Sequence, residues 1–193
     1  MYIVKYSGSF GFMKPWSAVR DSKTKSNDFL TPSVLMGIER KLFDELDVND
    51  LKIKRHRLQF SGVSFQQEQT TSINYEIKKP KKSKVKTIRK SQSIVSRGVL
   101  VNPILYLCFE EKEFAEEALT QHIVLGRNED ILLPECLLEI ELDDFNSDTT
   151  YSGFESFISN GDEINSIYCG MNKYTNQPQY CVRKIFGTPK NLI

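Results

Sequence analysis

Eight of the thirteen residues from Lys78 to Lys90 (KKPKKSKVKTIRK) are Lys or Arg, and none is acidic. Ammonium and guanidinium groups bind phosphates, and each phosphate that they neutralise releases counterions. The run contains no aromatic residue, so it can hold a phosphate backbone but cannot stack on bases. It predicts contact with a polyanion, and the alternatives are a solvated loop and a nuclear localisation signal. Its basic residues are Lys78, Lys79, Lys81, Lys82, Lys84, Lys86, Arg89 and Lys90.

The charge of the rest of the chain has the opposite sign. The formal net charge is +1, so the residues outside this run sum to −7, which is 1 − 8. Residues 1–100 hold 20 Lys and Arg against 9 Asp and Glu, whereas residues 101–193 hold 6 against 16. This asymmetry predicts two differently charged faces, one of which suits nucleic acid.

A second basic group lies on a predicted strand and comprises Lys52, Lys54, Arg55 and Arg57. Alternate residues of a strand point to opposite faces, so the two lysines share one face and the two arginines the other. We expect the arginines to join the basic run in binding RNA. Protection of an edge strand by charge is the alternative.

The segment from Ser7 to Leu30 is a predicted loop in which aromatic and basic residues alternate. Single-stranded RNA offers unpaired bases that stack on aromatic rings and phosphates that pair with cations. A plug in the core and a protein-docking loop are the alternatives. The residues concerned are Phe10, Phe12, Lys14, Trp16 and Arg20.

His56 lies among these basic residues. An imidazole beside a lysine could act as a general base in metal-free RNA cleavage, with the lysine stabilising the developing charge. A structural or simply exposed histidine is the commoner situation. His56 is therefore the one catalytic candidate, and a non-catalytic protein is the main expectation.

Metal and cofactor sites are not expected. No two of the four cysteines are spaced as CxxC, and Cys108 lies in an apolar run typical of a core strand. Asp143, Asp144 and Asp148 are interpreted as an acidic loop.

Two helices and four core strands are predicted. Pro32 follows the N-cap candidate Thr31, and apolar residues then recur every four positions to Leu46. Gly37 inside this helix is interpreted as close packing against a strand. The second helix lies within 110–123, and the core strands lie at 2–6, 51–65, 98–109 and 136–142, with a bulge expected near His56.

The order strand, helix, strand, strand, helix, strand predicts an α+β, ferredoxin-like domain over residues 1–142, with both helices on one face of an antiparallel sheet. Strands at 70–77 and 87–96 flank the basic run, which predicts an inserted hairpin over about residues 66–97. Residues 143–193 form a polar C-terminal extension with short strands at 164–169 and 179–186. The sequence shows no signal peptide and no apolar run of ~20 residues, so we expect a cytoplasmic protein with reduced thiols and no membrane partner.

The order of these parts resembles the fifth family of CRISPR-associated proteins, RAMP-type (RRM-like) subunits of Cascade-like effector complexes. The resemblance covers roughly residues 1–142. Its first half is a Gly/Phe loop followed by a helix that opens TPSVLMGIERKL. Its second half is an Arg-x-x-Leu-x-Asn-Pro segment, a buried strand, a helix and a Leu-Gly-Arg turn. The matching positions are Arg97, Leu100, Asn102, Pro103, Leu125, Gly126 and Arg127.

The resemblance implies a ferredoxin-like domain with a protruding hairpin, called the thumb, at the position of the basic run. It implies binding of the 5′ handle of a crRNA in an antiviral ribonucleoprotein, with Arg97 and Arg127 among the RNA contacts. The implied partners are a repeating backbone subunit, a large subunit and, indirectly, target DNA. Some family members instead cleave precursor RNA with a Tyr, a Lys and a His, a trio that no motif here matches. A protein-docking scaffold is the remaining alternative.

Overall fold

The computed structural model describes residues 1–16, 22–44, 46–48, 50–78, 87–147, 149–172 and 175–187, with the backbone alone for 72–78 and 87–91. In chain order the elements are β1 (Tyr2–Ser7), β2 (Phe10–Gly11), β3 (Lys23–Lys25), α1 (Pro32–Leu42), β4 (Arg55–Gln59), β5 (Gly62–Lys78), β6 (Thr87–Val101), β7 (Ile104–Phe109), α2 (Lys112–Leu119), β8 (Ile123–Val124), β9 (Ile131–Glu139), α3 (Leu142–Ser147), a 3₁₀ turn (Thr149–Tyr151), β10 (Gly153–Ser159), β11 (Ser166–Met171) and β12 (Pro178–Phe186).

The core sheet confirms the predicted ferredoxin-like fold. Its strands lie in the order β4-β7-β1-β9, and each neighbouring pair is antiparallel. The first and fourth strands of the motif are therefore neighbours, as are the second and third, which is the arrangement of two interleaved βαβ units.

Both helices pack on the same face of this sheet, as predicted. Val4, Leu105 and Leu107 point to that face and share one buried cluster with residues of α1 and α2. The Tyr6 hydroxyl donates a hydrogen bond to the Ala118 carbonyl of α2 (2.5 Å), which fixes the helix over β1. Within the described ranges, no helix is long and apolar enough to cross a membrane.

The opposite face of the sheet is covered by the chain that follows β9. Phe145 of α3 is fully buried, and Tyr151 packs edge-on against Tyr106 of β7. Residues 142–147 thus form a short helix that buries an aromatic ring, where the sequence indicated only an acidic loop. The acidic residues Asp143 and Asp144 remain exposed in its first turn.

The C-terminal extension continues the same sheet beyond β4. β10 pairs with β4, β12 with β10, and β11 with β12. The two predicted strands correspond to β11 and β12, whereas β10 lies in a polar segment where no strand was predicted. With β8 beside β9, the described residues form an eight-stranded sheet.

Three local predictions need correction. α1 ends at Leu42 rather than Leu46, because the chain is extended from Phe43, whose ring packs edge-on against Phe109. β4 begins at Arg55 and pairs in regular register through His56, so the change of phase comes from residues 51–54, which lie outside the strand, rather than from a bulge. A Cβ on Gly37 would have nothing within 4 Å, so this glycine does not mark close packing.

Candidate nucleic-acid interface

The inserted hairpin is much longer than the strands that support it. β5 and β6 pair continuously from Gly62 with Val101 to Thr71 with Gln92, and again from Tyr75 with Lys90 to Lys78 with Thr87. The 17 residues of β5 span roughly 55 Å at ~3.3 Å per residue. β2 and β3 pair with β6 only between Ser96 and Val101. The outer part of the hairpin therefore pairs only within itself in the described residues.

The two described ends of the basic run lie at the outer end of this hairpin. The backbones of Lys78, Arg89 and Lys90 belong to its strands. The other lysines of the run (Lys79, Lys81, Lys82, Lys84 and Lys86) and Arg20 of the loop lie outside the described residues. The hairpin that the sequence predicted is present, and it pairs from residue 62 to residue 101 rather than only from 66 to 97.

One face of the hairpin stem is polar, uncharged and exposed. It carries amides and hydroxyls between the core and the basic end, with Phe65 51% exposed at its base and Ile94 also exposed. The Lys23 ammonium lies 4.5 Å from the Phe65 ring centroid. The exposed residues of this face are Phe65, Gln67, Gln69, Thr71, Gln92 and Ile94. Phe65 was not among the predicted RNA contacts, although it lies two residues before Gln67 and therefore on the same face of the strand.

The aromatic loop after β1 divides its rings between core and surface. Phe12 is buried, whereas Phe10 is 39% and Trp16 59% exposed. Trp16 packs edge-on against Tyr168 at 6.0 Å, over the backbone of Gly170. Lys14 is exposed beside it. Phe10, Lys14 and Trp16 thus remain available to a ligand, whereas Phe12 is part of the core.

Two of the predicted RNA-binding arginines meet at the buried ring of Phe12. The guanidinium carbons of Arg97 and Arg127 each lie 5.6 Å from its centroid. Arg97 donates hydrogen bonds to Thr24 Oγ1 (3.0 Å) and Glu68 Oε2 (3.4 Å). Each arginine side chain is 17% exposed. The structure therefore unites these two arginines, which are thirty residues apart in sequence, at the base of the hairpin.

Arg127 is held by acidic neighbours from its own turn. It donates two hydrogen bonds to the fully buried Asp130 (2.8 and 2.7 Å), and Glu129 lies 3.4 Å away. The hydrogen bonds from Arg127 to Asp130 raise the pKa of Arg127 above its usual value. A phosphate that reached Arg127 would thus compete with carboxylates already in place.

Arg57 lies in the core rather than on an RNA-binding surface. Its side chain is fully buried, and Nε donates to Glu155 Oε2 at 2.8 Å. The guanidinium also donates to the carbonyls of Phe145 and Tyr151, and its carbon lies 3.4 Å from the ring centroid of Phe186. These contacts use the donors that an RNA phosphate would need.

Arg55 shares the same carboxylate. It points to the same face of β4 as Arg57, as the strand period predicted, and it hydrogen-bonds Glu155 and Asn146. Its side chain is only 18% exposed. Arg55 therefore belongs to the interface between β4 and the C-terminal extension, not to the basic surface of the hairpin.

His56 is buried on the opposite face of β4. It is 2% exposed, and its Nε2 accepts a hydrogen bond from the Ser156 backbone N–H at 3.3 Å. Burial, with Arg55 and Arg57 close by, lowers the pKa of His56 to about 4. A general base must reach the proton that it removes, and His56 does not reach the surface. The geometry thus indicates a structural role in joining β4 to β10.

This burial predicts a loss of stability in mild acid. The pKa is about 6.5 in an unfolded chain and about 4 in the fold, so the unfolded state binds the additional proton first. The His56 contribution is complete above pH ~6.5 and lost as the pH falls toward ~4, at most about 3 kcal/mol. Urea unfolding across this range measures it. In His56→Gln, which keeps an acceptor, the dependence above pH ~4.5 should flatten; an unchanged dependence would contradict this assignment.

In the ranges that the structure describes, no group of three or more His, Cys, Asp or Glu side chains could hold a metal ion. The predicted RNA contacts whose side chains the structure describes fall into three sets. Phe10, Lys14 and Trp16 are exposed, Arg97 and Arg127 are partly exposed around Phe12, and Arg55 and Arg57 belong to the interior.

Comparisons with known proteins show a shared fold. No family model and no curated protein matches the chain. A chain of a solved "CRISPR RNA-guided surveillance complex" aligns over 99% of this chain and 92% of its own length, with a TM-score of 0.54 and 12% identity. A chain of a Type III-B Cmr-beta structure, bound to cognate target RNA and AMPPnP, aligns over 97% and 84%, with a TM-score of 0.53 and 9% identity. At such identities the likeness concerns the architecture.

Proposed function

We propose that this protein is a non-catalytic RNA-binding subunit of a CRISPR effector complex, which holds the 5′ handle of a crRNA and caps one end of the backbone filament. The observation that carries this proposal is the long hairpin with a basic end, inserted between the second and third strands of a ferredoxin-like core. The fold aligns with chains of CRISPR complexes over nearly its whole length, and the basic run is the chain's main concentration of positive charge.

The RNA contacts divide between phosphate binding and base binding. The lysines at the end of the hairpin supply point charges for the backbone, and these contacts give affinity without sequence preference. Stacking of splayed bases requires exposed rings, and the described surface offers them at Phe10, Trp16 and Phe65. Lys23 beside Phe65 adds a cation for a neighbouring phosphate. Handle selectivity thus comes from the stem and the loop after β1.

We propose no catalytic role for this protein, because His56, the one catalytic candidate, is buried and accepts a hydrogen bond from β10. Its partners are the crRNA, the repeating backbone subunit and the large subunit, with target DNA contacted indirectly, in the cytoplasm. No cofactor and no metal belong to this role.

The decisive variant reverses three charges at the end of the hairpin. Lys81→Glu/Lys82→Glu/Lys84→Glu removes three phosphate contacts, each worth about 0.7 in the slope of log K against log salt for a single strand. We expect the slope to flatten by about 2 and the affinity at low salt to fall at least tenfold. Fluorescence anisotropy with a labelled CRISPR-repeat RNA at four salt concentrations measures both.

The matched control makes the same change of charge on the helices. Arg40→Glu/Lys41→Glu/Lys112→Glu alters exposed residues of α1 and α2 and should leave the slope unchanged. If both triple variants changed the salt slope equally, the net charge of the protein, rather than phosphate contacts at the hairpin, would account for the change. RNA affinity insensitive to the hairpin variant, with complex assembly lost, would favour the docking scaffold. Cleavage of the RNA in EDTA, lost in His56→Ala, would replace this proposal by the endoribonuclease.

A further inference from the structure

Two cysteines face each other across the outermost strand pair of the sheet. Cys169 lies in β11 and Cys181 in β12, and their Sγ atoms are 2.8 Å apart. This is closer than two thiols in ordinary van der Waals contact. Cys169 is 8% exposed and Cys181 is fully buried, in a cluster with Phe29 and Phe154.

An irregularity in β11 creates this contact. The Cα partner of Cys181 is Ile167, which makes Cys169 a diagonal neighbour, ordinarily too distant for two short side chains. The register shifts between Tyr168 and Gly170, and Gly170 has a φ of 102° that favours glycine. A bulge redirects side chains, and here it brings Cys169 onto Cys181.

We propose that Cys169 and Cys181 form a reversible dithiol–disulfide site that staples β11 to β12. The oxidant is a peroxide of low molecular mass. The Cys169 thiolate attacks one peroxide oxygen, the O–O bond breaks, and hydroxide leaves. Cys181 Sγ then attacks Cys169 Sγ, the S–S bond forms, and the S–O bond breaks with release of water. In balance, two thiols and one hydrogen peroxide give one disulfide and two waters.

The surroundings of the two cysteines indicate which one attacks the peroxide and which one resolves the sulfenic acid. The hydrogen bond from the Cys181 thiol lowers the pKa of Cys169, and the same contact together with burial raises the pKa of Cys181. Cys169 also lies on β11, which in the described sheet pairs with β12 alone. An edge strand opens more readily than a central one, so peroxide reaches Cys169 first, and Cys181 resolves the sulfenic acid.

The test uses the full chain, purified under reduction and then treated with a small excess of hydrogen peroxide. We expect two of the four thiols to disappear, with one Cys169–Cys181 cross-link in a non-reducing peptide map and full reversal by dithiothreitol. The closed loop of about 13 residues should raise the melting temperature by about 5–10 °C.

Cys136→Ser is the matched control, because Cys136 is more exposed than either member of the pair and should not affect the cross-link. Cys169→Ala and Cys181→Ala should each abolish it. Circular dichroism of the reduced variants establishes that they are folded. Folded wild-type protein that instead accumulates sulfinic acid at Cys136 or Cys169, or that links another pair, would overturn the assignment.

Discussion

Replacing Glu155 by Gln is expected to lower the free energy of unfolding by about 3–5 kcal/mol, the usual cost of removing one partner from a buried ion pair. Glu155 is 1% exposed and accepts hydrogen bonds from both Arg55 and Arg57. Burial alone would raise the pKa of Glu155, but the two guanidinium groups outweigh it and leave the pKa lowered. Without the carboxylate, Arg57 becomes an uncompensated charge in the interior.

The loss should be largest where the extension joins the core. Glu155 lies on β10, and Arg57 lies on β4 beside it. Arg57 also donates to the carbonyls of Phe145 and Tyr151. This one cluster therefore ties together β4, β10 and the chain that covers the sheet. Limited proteolysis of Glu155→Gln should cut within residues 142–187 before it cuts the core.

Comparing the urea unfolding of Glu155→Gln with that of Glu135→Gln separates this effect from a general effect of removing a carboxylate. Glu135 pairs with Lys5 on the surface, with side chains 40% and 29% exposed, and such pairs contribute about 0–1 kcal/mol. A double-mutant cycle with Arg57→Met should show strong coupling to Glu155, because the double variant no longer buries the unpaired Arg57 charge. Equal stabilities of the two Gln variants would contradict the role given to Glu155.

The fold was predictable because its signals are local. The apolar residues of α1, the buried run before Phe109 and the flanks of the basic segment each indicate an element within a short window. Their order then leaves the ferredoxin-like sheet as the natural arrangement. The hairpin could be predicted for the same reason, since β5 and β6 are adjacent in sequence.

The burial of Arg55, His56 and Arg57 was not predictable from their neighbourhood. Three cationic residue types in a row are typical of a solvated or ligand-binding strand. What buries them is Glu155, about a hundred residues later, on a strand in the part of the polar extension where no strand was predicted. β10 was missed because GFESFIS combines polar residues with a carboxylate that faces inward. A pairing this distant leaves no local pattern.

The base of the hairpin was predicted in part. Arg97 and Arg127 were selected by resemblance, and the structure brings both to Phe12. Neither the acidic partners of Arg127 nor the exposed ring of Phe65 followed from the sequence. Periodicity assigns a residue to a strand face, but which face is covered depends on the tertiary arrangement.

Replacing Gly126 by Ala is expected to cost about 2–5 kcal/mol of stability, from the strain of a positive φ and from overpacking. Gly126 has a φ of 90°, and a Cβ there would lie 2.0 Å from the Phe12 carbonyl oxygen. The backbone of the Leu-Gly-Arg turn therefore fits directly against the loop after β1. The added methyl group would force the turn and the loop after β1 apart, because the atoms that it meets belong to the backbone of Phe12 and Met13 rather than to a flexible side chain.

Gly37→Ala is the matched control, since it adds the same methyl group inside α1 where nothing lies within 4 Å. Removing a glycine from a helix interior should raise stability by about 0.5–1 kcal/mol, so the two variants should move the urea midpoint in opposite directions.

Gly126→Ala is also expected to affect RNA binding. The substitution should displace Arg127 from the ring of Phe12. If that arginine contributes to RNA binding, the variant loses affinity while its salt slope falls by at most ~1, the value of a single phosphate contact. Unchanged affinity in a folded Gly126→Ala protein would leave RNA binding to the hairpin and the exposed rings. A midpoint shift like that of Gly37→Ala would contradict the close approach of the turn to Phe12.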